Sequence, residues 1–300
     1  MKTTIHKFNL NVDVPLVLMD SGQVFHWRAA GDCAAEDCAA ADCRTAGGFV
    51  AVVEGRAALV YGIEGGLAVV EDHNASIDQE EGRAFWARYF DVARDYGAVC
   101  ESYGRVAQVA RAMEALPGLR VLNQPPWEAL IAFILSANNN VGRIRRLVHA
   151  LCREIGMRYE VAGAAVYGFP EPAALAAAGE DFLRALGVGY RAPYLVRSAR
   201  MVAEGFALDG LGALPYETAH QRLMELPGVG PKVADCVLLF GCGHAEALPV
   251  DVWMERVLQG QFGLVGTRAQ LKRQGMALLG DMAGLAQQFL FHAARTGSGN

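Results

Sequence analysis

Residues 226–251 read LPGVGPKVADCVLLFGCGHAEALPVD, and the turn near their start decides the fold. Ahead of it, residues 216–226 place Leu223, Met224 and Leu226 in a helical repeat. Behind it, Val233, Val237, Leu238 and Phe240 mark the inner face of a second helix. Gly228 and Gly230 bracket Val229; glycine at both places admits positive φ and keeps a Cβ from standing between backbone and ligand. Pro231 suits the first helical position, where its missing N–H would have had no partner anyway. The free N–H groups of that first turn point outward, and the helix dipole favours an anion such as phosphate there. A corner built only for packing has the same pattern, so the turn alone leaves both readings open.

Two side chains add chemistry. Lys232 stands on the first turn after the hairpin. At a helix N-terminus, and desolvated by a bound substrate, an ammonium is disfavoured and a nucleophilic amine becomes available. A lysine that only contacts phosphate is the alternative. The helix over 232–240 is roughly 14 Å long, and the loop over 241–250 reaches about 30 Å when extended, ample to return to the helix start. Asp251 then opens a helix over 252–259, close to Lys232. Capping is an ordinary duty for aspartate. It would also hold the carboxylate still, with an oxygen left to face an oxocarbenium ion as a glycosidic bond opens. Pro249 stiffens the approach. A backbone cradle for phosphate, an amine and a carboxylate together suit the opening of a glycosidic bond in a nucleic acid.

With these residues in view, the chain resembles the helix-hairpin-helix glycosylase superfamily, in its 8-oxoguanine DNA glycosylase/AP lyase branch. The resemblance is carried over most of the chain by GQVFHWR (22–28), FWARYF (85–90), ILSANNNVGRI (134–144), LGVGYRAPYL (186–195), LPGVGPKVADC (226–236), PVDVW (249–253) and AQQFLF (286–291), in that order. It implies that Lys232 is a Schiff-base nucleophile and Asp251 the essential carboxylate. It further implies that Gln287 and Phe291, four apart on a last helix and so on one face, hold a flipped base by its Watson–Crick edge and its π-face. Gly22 falls where a backbone carbonyl accepts from the N7–H that 8-oxoguanine has and guanine lacks. Cys236 and Pro249 fall against the same base. Asn138, Arg143 and Arg191 correspond to residues that read the orphaned cytosine, whose N3 and O2 suit guanidinium donors, and Tyr190 to a wedge in the duplex. Gly228 and Gly230 belong to the DNA-binding hairpin, where a monovalent cation fits by family analogy. Trp253 departs from the pattern: eukaryotic members carry a phosphate-contacting histidine there. Without the resemblance, Gln287 and Phe291 read as a solvated glutamine and a core ring, Asn138 as a polar helix end, and Arg143 as the wet face of a helix whose stripe is Ile144, Leu147, Val148, Leu151 and Ile155.

Composition sets the frame. The 300 residues are 53% hydrophobic, enough for a full core. There is no apolar run of membrane length and no signal-type segment, so we expect no membrane and a cytoplasmic or nucleoid location, nuclear if eukaryotic, not secreted. The net charge of −5 argues against a general nucleic-acid binder. Its distribution softens that: residues 1–105 hold 9 Lys/Arg and 16 Asp/Glu, and residues 106–300 hold 18 and 16. Seven cysteines, an odd number, argue against a disulfide framework. Cys33, Cys38 and Cys43 read as an alanine-rich loop insertion rather than a metal site, and no four-cysteine cluster of the iron–sulfur kind follows the hairpin.

The expected fold is α+β: an N-terminal antiparallel β-sheet domain over 1–95, followed by a mostly α-helical helix-hairpin-helix glycosylase domain over 96–300. Strands are predicted over 24–28, 49–53, 57–63 and 67–71, separated by Glu-Gly turns, and a helical pattern from residue 78 almost to the end. The expected activity is excision of 8-oxoguanine opposite cytosine in double-stranded DNA, then strand cleavage by β-elimination, by a monomer needing no redox cofactor and no catalytic metal. Two alternatives stand beside it: a monofunctional alkylated-base glycosylase working through the aspartate alone, and a noncatalytic hairpin DNA-binding protein.

Overall fold

The structure is a computed structural model, and it describes residues 2–32, 47–73 and 78–297. Strands β1 (Lys2–Asn9), β2 (Arg28–Ala29), β3 (Phe49–Val53), β4 (Arg56–Ile63) and β5 (Gly66–His73) form one antiparallel sheet in the order β1-β5-β4-β3-β2. Twelve α-helices follow among the described residues: α1 (Gln79–Tyr89), α2 (Tyr96–Ser102), α3 (Ala107–Ala115), α4 (Pro126–Ser136), α5 (Val141–Ile155), α6 (Pro172–Ala185), α7 (Ala192–Ala203), α8 (Tyr216–Leu223), α9 (Pro231–Gly241), α10 (Val252–Gly260), α11 (Arg268–Leu279) and α12 (Ala283–Thr296). No helix among the described residues is long and apolar enough to cross a membrane. The stretch holding Cys33, Cys38 and Cys43 lies outside the described residues.

Strand β3 shows why the sheet sits where it does. All five of its residues are buried, which requires cover on both faces. Phe49, Ala51 and Val53 join the large core with Trp27, Trp86 and the helices, while Val50 and Val52 join a smaller cluster with Val161, Ala164 and Val166. The second cover is a hairpin, β6 (Arg158–Val161) with β7 (Ala164–Tyr167), inserted between α5 and α6. This corrects the expectation of a purely helical pattern from residue 78 almost to the end. RYEV and AAVY are short, and their apolar face is matched by the outer face of a sheet about a hundred residues earlier, which no local period reveals.

The sheet differs from expectation at two more places. Lys2–Asn9 is a full strand, paired with β5 from Lys2 opposite His73 to Asn9 opposite Gly66. Its inward positions include His6, a polar residue buried against Glu71 with Nε2 and Oε2 2.8 Å apart, so it lacks an apolar alternation. Residues 24–28 are not a strand apart from Arg28, which opens the two-residue β2. Val24, Phe25 and Trp27 are all buried, and the bent backbone is held by side chains: Gln23 Nε2 donates to the Arg120 carbonyl, and Gln124 Nε2 donates to the Gln23 carbonyl, both at 2.8 Å.

Helix α4 is the central pillar. Pro126 occupies its first position, and every residue from Glu128 to Leu135 is buried, as befits a helix surrounded by others. Within it, Glu128 Oε2 lies 3.6 Å from His26 Nε2. Burial pushes the Glu128 carboxyl up to about 8 and the His26 imidazole down to about 3. Helix α5 is capped by Asn140, which accepts from the Arg143 amide at 2.9 Å. Its stripe of Ile144, Leu147, Val148 and Leu151 is buried as expected, while Ile155 is only half-buried at the helix end.

Candidate active site

The hairpin between α8 and α9 is built as a rigid corner. Gly228 has φ +84, and an ideal Cβ there would lie 2.7 Å from Tyr194 Cβ, so both backbone and packing require glycine. Ser198 Oγ donates to the Pro227 carbonyl at 2.8 Å, tying the turn to α7. Gly230 corrects the sequence expectation. Its φ is −92 with ψ 178, extended backbone open to any residue, and nothing lies within 4 Å of a Cβ built there. What Gly230 contributes is open space beside the first amides of α9. Met224 likewise faces outward, at 40% exposure, whereas Leu223 and Leu226 are buried as expected.

Lys232 on the first turn of α9 and Asp251 at the start of α10 open onto one small cavity of about 40 Å³, whose wall also includes Gly22, Cys236, Gln287 and Phe291. That is well below the roughly 300–1,000 Å³ of small-molecule sites. The Lys232 amine donates to Ser136 Oγ at 3.1 Å and lies 5.2 Å from the centroid of the Phe133 ring. Asp251 Oδ1 accepts from the Trp253 and Met254 amides, both at 2.9 Å. The cap thus uses one carboxylate oxygen and leaves the other outside it.

Around these groups the wall is apolar with a few polar atoms. Pro249 and Cys236 are buried. Burial pushes the Cys236 thiol up to about 11, against the pull of the nearby Lys232 charge, so it is a neutral thiol at pH 7. Gln287 is buried with its amide oxygen unpaired among the described residues, an acceptor that costs about 1–3 kcal/mol unless a ligand satisfies it. Phe291 is half-buried on the same face of α12. Gly22 has φ +74 and lines the same cavity beside Phe291, whose Cε1 would lie 3.7 Å from an ideal Cβ at position 22.

A second group gathers where the loop after α4 meets the turn before α7. Asn138 is exposed with φ +48. Arg143 Nη2 donates to the Gly187 carbonyl at 3.3 Å. Tyr190 is 55% exposed, and its hydroxyl donates to the Ala137 carbonyl at 3.1 Å. Arg191 is buried beneath it: Nε donates to Ala137 at 3.0 Å, Nη1 to Val188 at 3.2 Å and Nη2 to Asn138 at 3.0 Å. Of its five N–H donors few remain for a ligand, so in this structure Arg191 braces the loop that carries Asn138.

Two family profiles together cover nearly all of this frame. The N-terminal domain of 8-oxoguanine DNA glycosylase matches residues 4–130, and the HhH-GPD superfamily of base excision DNA repair proteins matches residues 131–279. The chain belongs to the 8-oxoguanine glycosylase branch of the helix-hairpin-helix superfamily. Among helix-hairpin-helix relatives, the N-glycosylase/DNA lyase of Saccharomyces cerevisiae is 38% identical over 168 residues, 52% of this chain and 45% of the yeast protein. A probable N-glycosylase/DNA lyase of Methanothermobacter thermautotrophicus is 35% identical over 210 residues, 62% of this chain and 66% of the relative. The chain thus spans about half to two thirds of the length of these curated relatives. The 8-oxoguanine glycosylase/lyase of Clostridium acetobutylicum, solved with double-stranded DNA containing cytosine opposite the lesion, has the same fold. Its TM-score is 0.83 at 26% identity, with 98% of each chain covered.

Within this glycosylase frame, several wall residues escape sequence reasoning. Phe133 and Phe240 stack with centroids 5.3 Å apart, and both line the cavity with Gln288. Each reads from sequence as core filling, and only the crossing of α4, α9 and α12 turns them toward the cavity. Ser136, partner of the key amine, is a polar residue at a helix end with no pattern to single it out. Trp253, where a histidine was the expected family residue, is 39% exposed with the Arg256 guanidinium 5.4 Å from its ring centroid.

Proposed function

We propose that this protein is a bifunctional DNA glycosylase/AP lyase that removes 8-oxoguanine paired with cytosine. The observation that carries the reading is the meeting of Lys232 and Asp251 on one small cavity whose wall also holds an unsatisfied Gln287 amide oxygen. The relatives named N-glycosylase/DNA lyase support it. The phosphate backbone docks on the hairpin amides beside Gly230. The damaged nucleotide leaves the stack, at a cost of a few kcal/mol, and its base enters the cavity between Cys236 and Phe291, edge-on to Gln287. Asn138 and Arg143 face the widowed cytosine, and Tyr190 fills the gap.

Chemistry follows from the two polar groups. As the bond between C1′ and the base breaks and the base departs with its electron pair, the Asp251 carboxylate stabilises the positive charge on the sugar. The Lys232 nitrogen attacks C1′. The ammonium so formed gives one proton to the departed base anion; the freed lone pair then expels the ring oxygen, which takes a proton from water, and a protonated imine results. The imine acidifies C2′; removal of a proton there expels the 3′ phosphate, and water releases Lys232. Incubating the protein with an 8-oxoguanine:cytosine duplex tests this directly. Strand scission without alkali and a borohydride-trapped crosslink are expected. An intact abasic strand, cleaved only by alkali, supports the monofunctional reading instead. An unchanged duplex supports a binding protein.

A further inference from the structure

The backbone around Gly22 is held by side chains from three separate parts of the helical frame. Arg145 Nη2 donates to the Met19 carbonyl at 2.6 Å, Arg295 Nη2 to that of Asp20, Gln288 Nε2 to that of Ser21 at 2.9 Å, and Gln124 Nε2 to that of Gln23 at 2.8 Å. Between these anchored neighbours, the Gly22 carbonyl accepts no hydrogen bond among the described residues. Arg295 also packs on Gly22 itself: an ideal Cβ at position 22 would lie 3.2 Å from its Nη1. Half-burial works against the charge of both arginines, with the Asp20 carboxylate favouring it. Arg145 Nε is buried without a partner among the described residues. Two partly desolvated cations bonded to consecutive backbone carbonyls are a costly way to close a surface turn, and a reasonable way to aim the one carbonyl left free.

We infer that Arg145 and Arg295, assisted by Gln288, are positioning residues that fix the Gly22 carbonyl as the acceptor that tells 8-oxoguanine from guanine. This rests on the proposed base-excision reading. The lesion bears an N7–H that satisfies a fixed carbonyl. Guanine presents a bare N7 lone pair, which leaves that carbonyl buried and unpaired. A loosely held carbonyl retreats from guanine and binds the lesion less well, so discrimination falls from both sides.

The test uses full-length protein carrying Lys232→Gln, which binds without turnover, on 8-oxoguanine:cytosine and guanine:cytosine duplexes. Adding Arg145→Met or Arg295→Met is expected to lower the ratio of the two affinities about tenfold, the scale of one hydrogen bond. Arg145→Lys, which keeps a donor, should restore most of it. β-Elimination at a preformed abasic site, measured with Lys232 intact, needs no base and reports whether the fold and the amine survive. An unchanged ratio in both methionine variants overturns the inference. So does a ratio that falls only in step with the abasic-site reaction, which marks general damage. A parent that does not prefer the lesion at all sinks the base-excision reading itself, a result distinct from either.

Discussion

In the proposed mechanism Asp251 joins two roles in one side chain, and substitution separates them. Oδ1 takes both capping bonds, from Trp253 and Met254 at 2.9 Å. Asp251→Ala removes the cap, at a cost of about 1–2 kcal/mol. Asp251→Asn keeps an oxygen in the same place, and asparagine caps about as well as aspartate; the lost charge at the helix start removes only about 0.3–1 kcal/mol. Negative charge toward the sugar is another matter. At about 4 Å and an effective dielectric of about 20, a unit charge pair is worth about 4 kcal/mol, roughly a thousandfold in rate. Single-turnover excision from an 8-oxoguanine:cytosine duplex, developed with alkali, should therefore fall by roughly a thousandfold in both variants. Thermal melting should separate them, with alanine lower by about 2–4 °C for each kcal/mol of lost cap. An asparagine variant that excises at the wild-type rate would refute the charge argument, and one that melts with the alanine variant would refute the cap.

Other outcomes follow from the same geometry. Lys232→Gln should abolish strand cleavage and the borohydride crosslink yet retain lesion binding; undiminished turnover would remove the imine mechanism. Gly228→Ala should lose about 2–5 kcal/mol in denaturant titration, from left-handed backbone and the clash with Tyr194. Gly230→Ala should leave stability nearly unchanged but weaken duplex binding, since its Cβ stands in the space where the proposed reading docks phosphate; equal stability losses would contradict the different backbones seen at the two glycines. Burial raises the folded-state pKa of Glu128 to about 8, so its protonated form adds stability that is full below the ordinary carboxylate value and lost as pH rises through about 8. For His26, whose folded pKa burial lowers to about 3, stability is present above the ordinary imidazole value and lost as pH falls through about 3. Between about pH 6.5 and 8 only the Glu128 loss acts, and Glu128→Gln should flatten it; an unaltered pH slope in urea midpoints would contradict the assignment.

The readable parts of this protein are those where a local rule has one solution. Glycine at 228 answers to a positive φ, Pro231 starts a helix, Asp251 caps the next, and the stripe of α5 has a single inward face. Gly230 carries the same letter as Gly228 and a different reason. Position 22 shows the limit from the other side: the sequence offers a glycine in GQVFHWR, but its anchoring by Arg145, Gln288 and Arg295 spans separations of up to 275 residues. The strand at residues 2–9 was hidden by an inward histidine whose partner is Glu71, and the β6–β7 hairpin by apolar residues that make sense only against β3.

Local chemistry alone therefore determined the hairpin, the amine at its exit and the carboxylate that opens the following helix, because turns and caps are satisfied within a few residues. The tertiary structure decided which apolar rings face the cavity, which arginines brace backbone rather than remain free, and what covers the outer side of the sheet. Those outcomes depend on directions set where distant elements cross, and a side chain's direction is not written in its own neighbourhood.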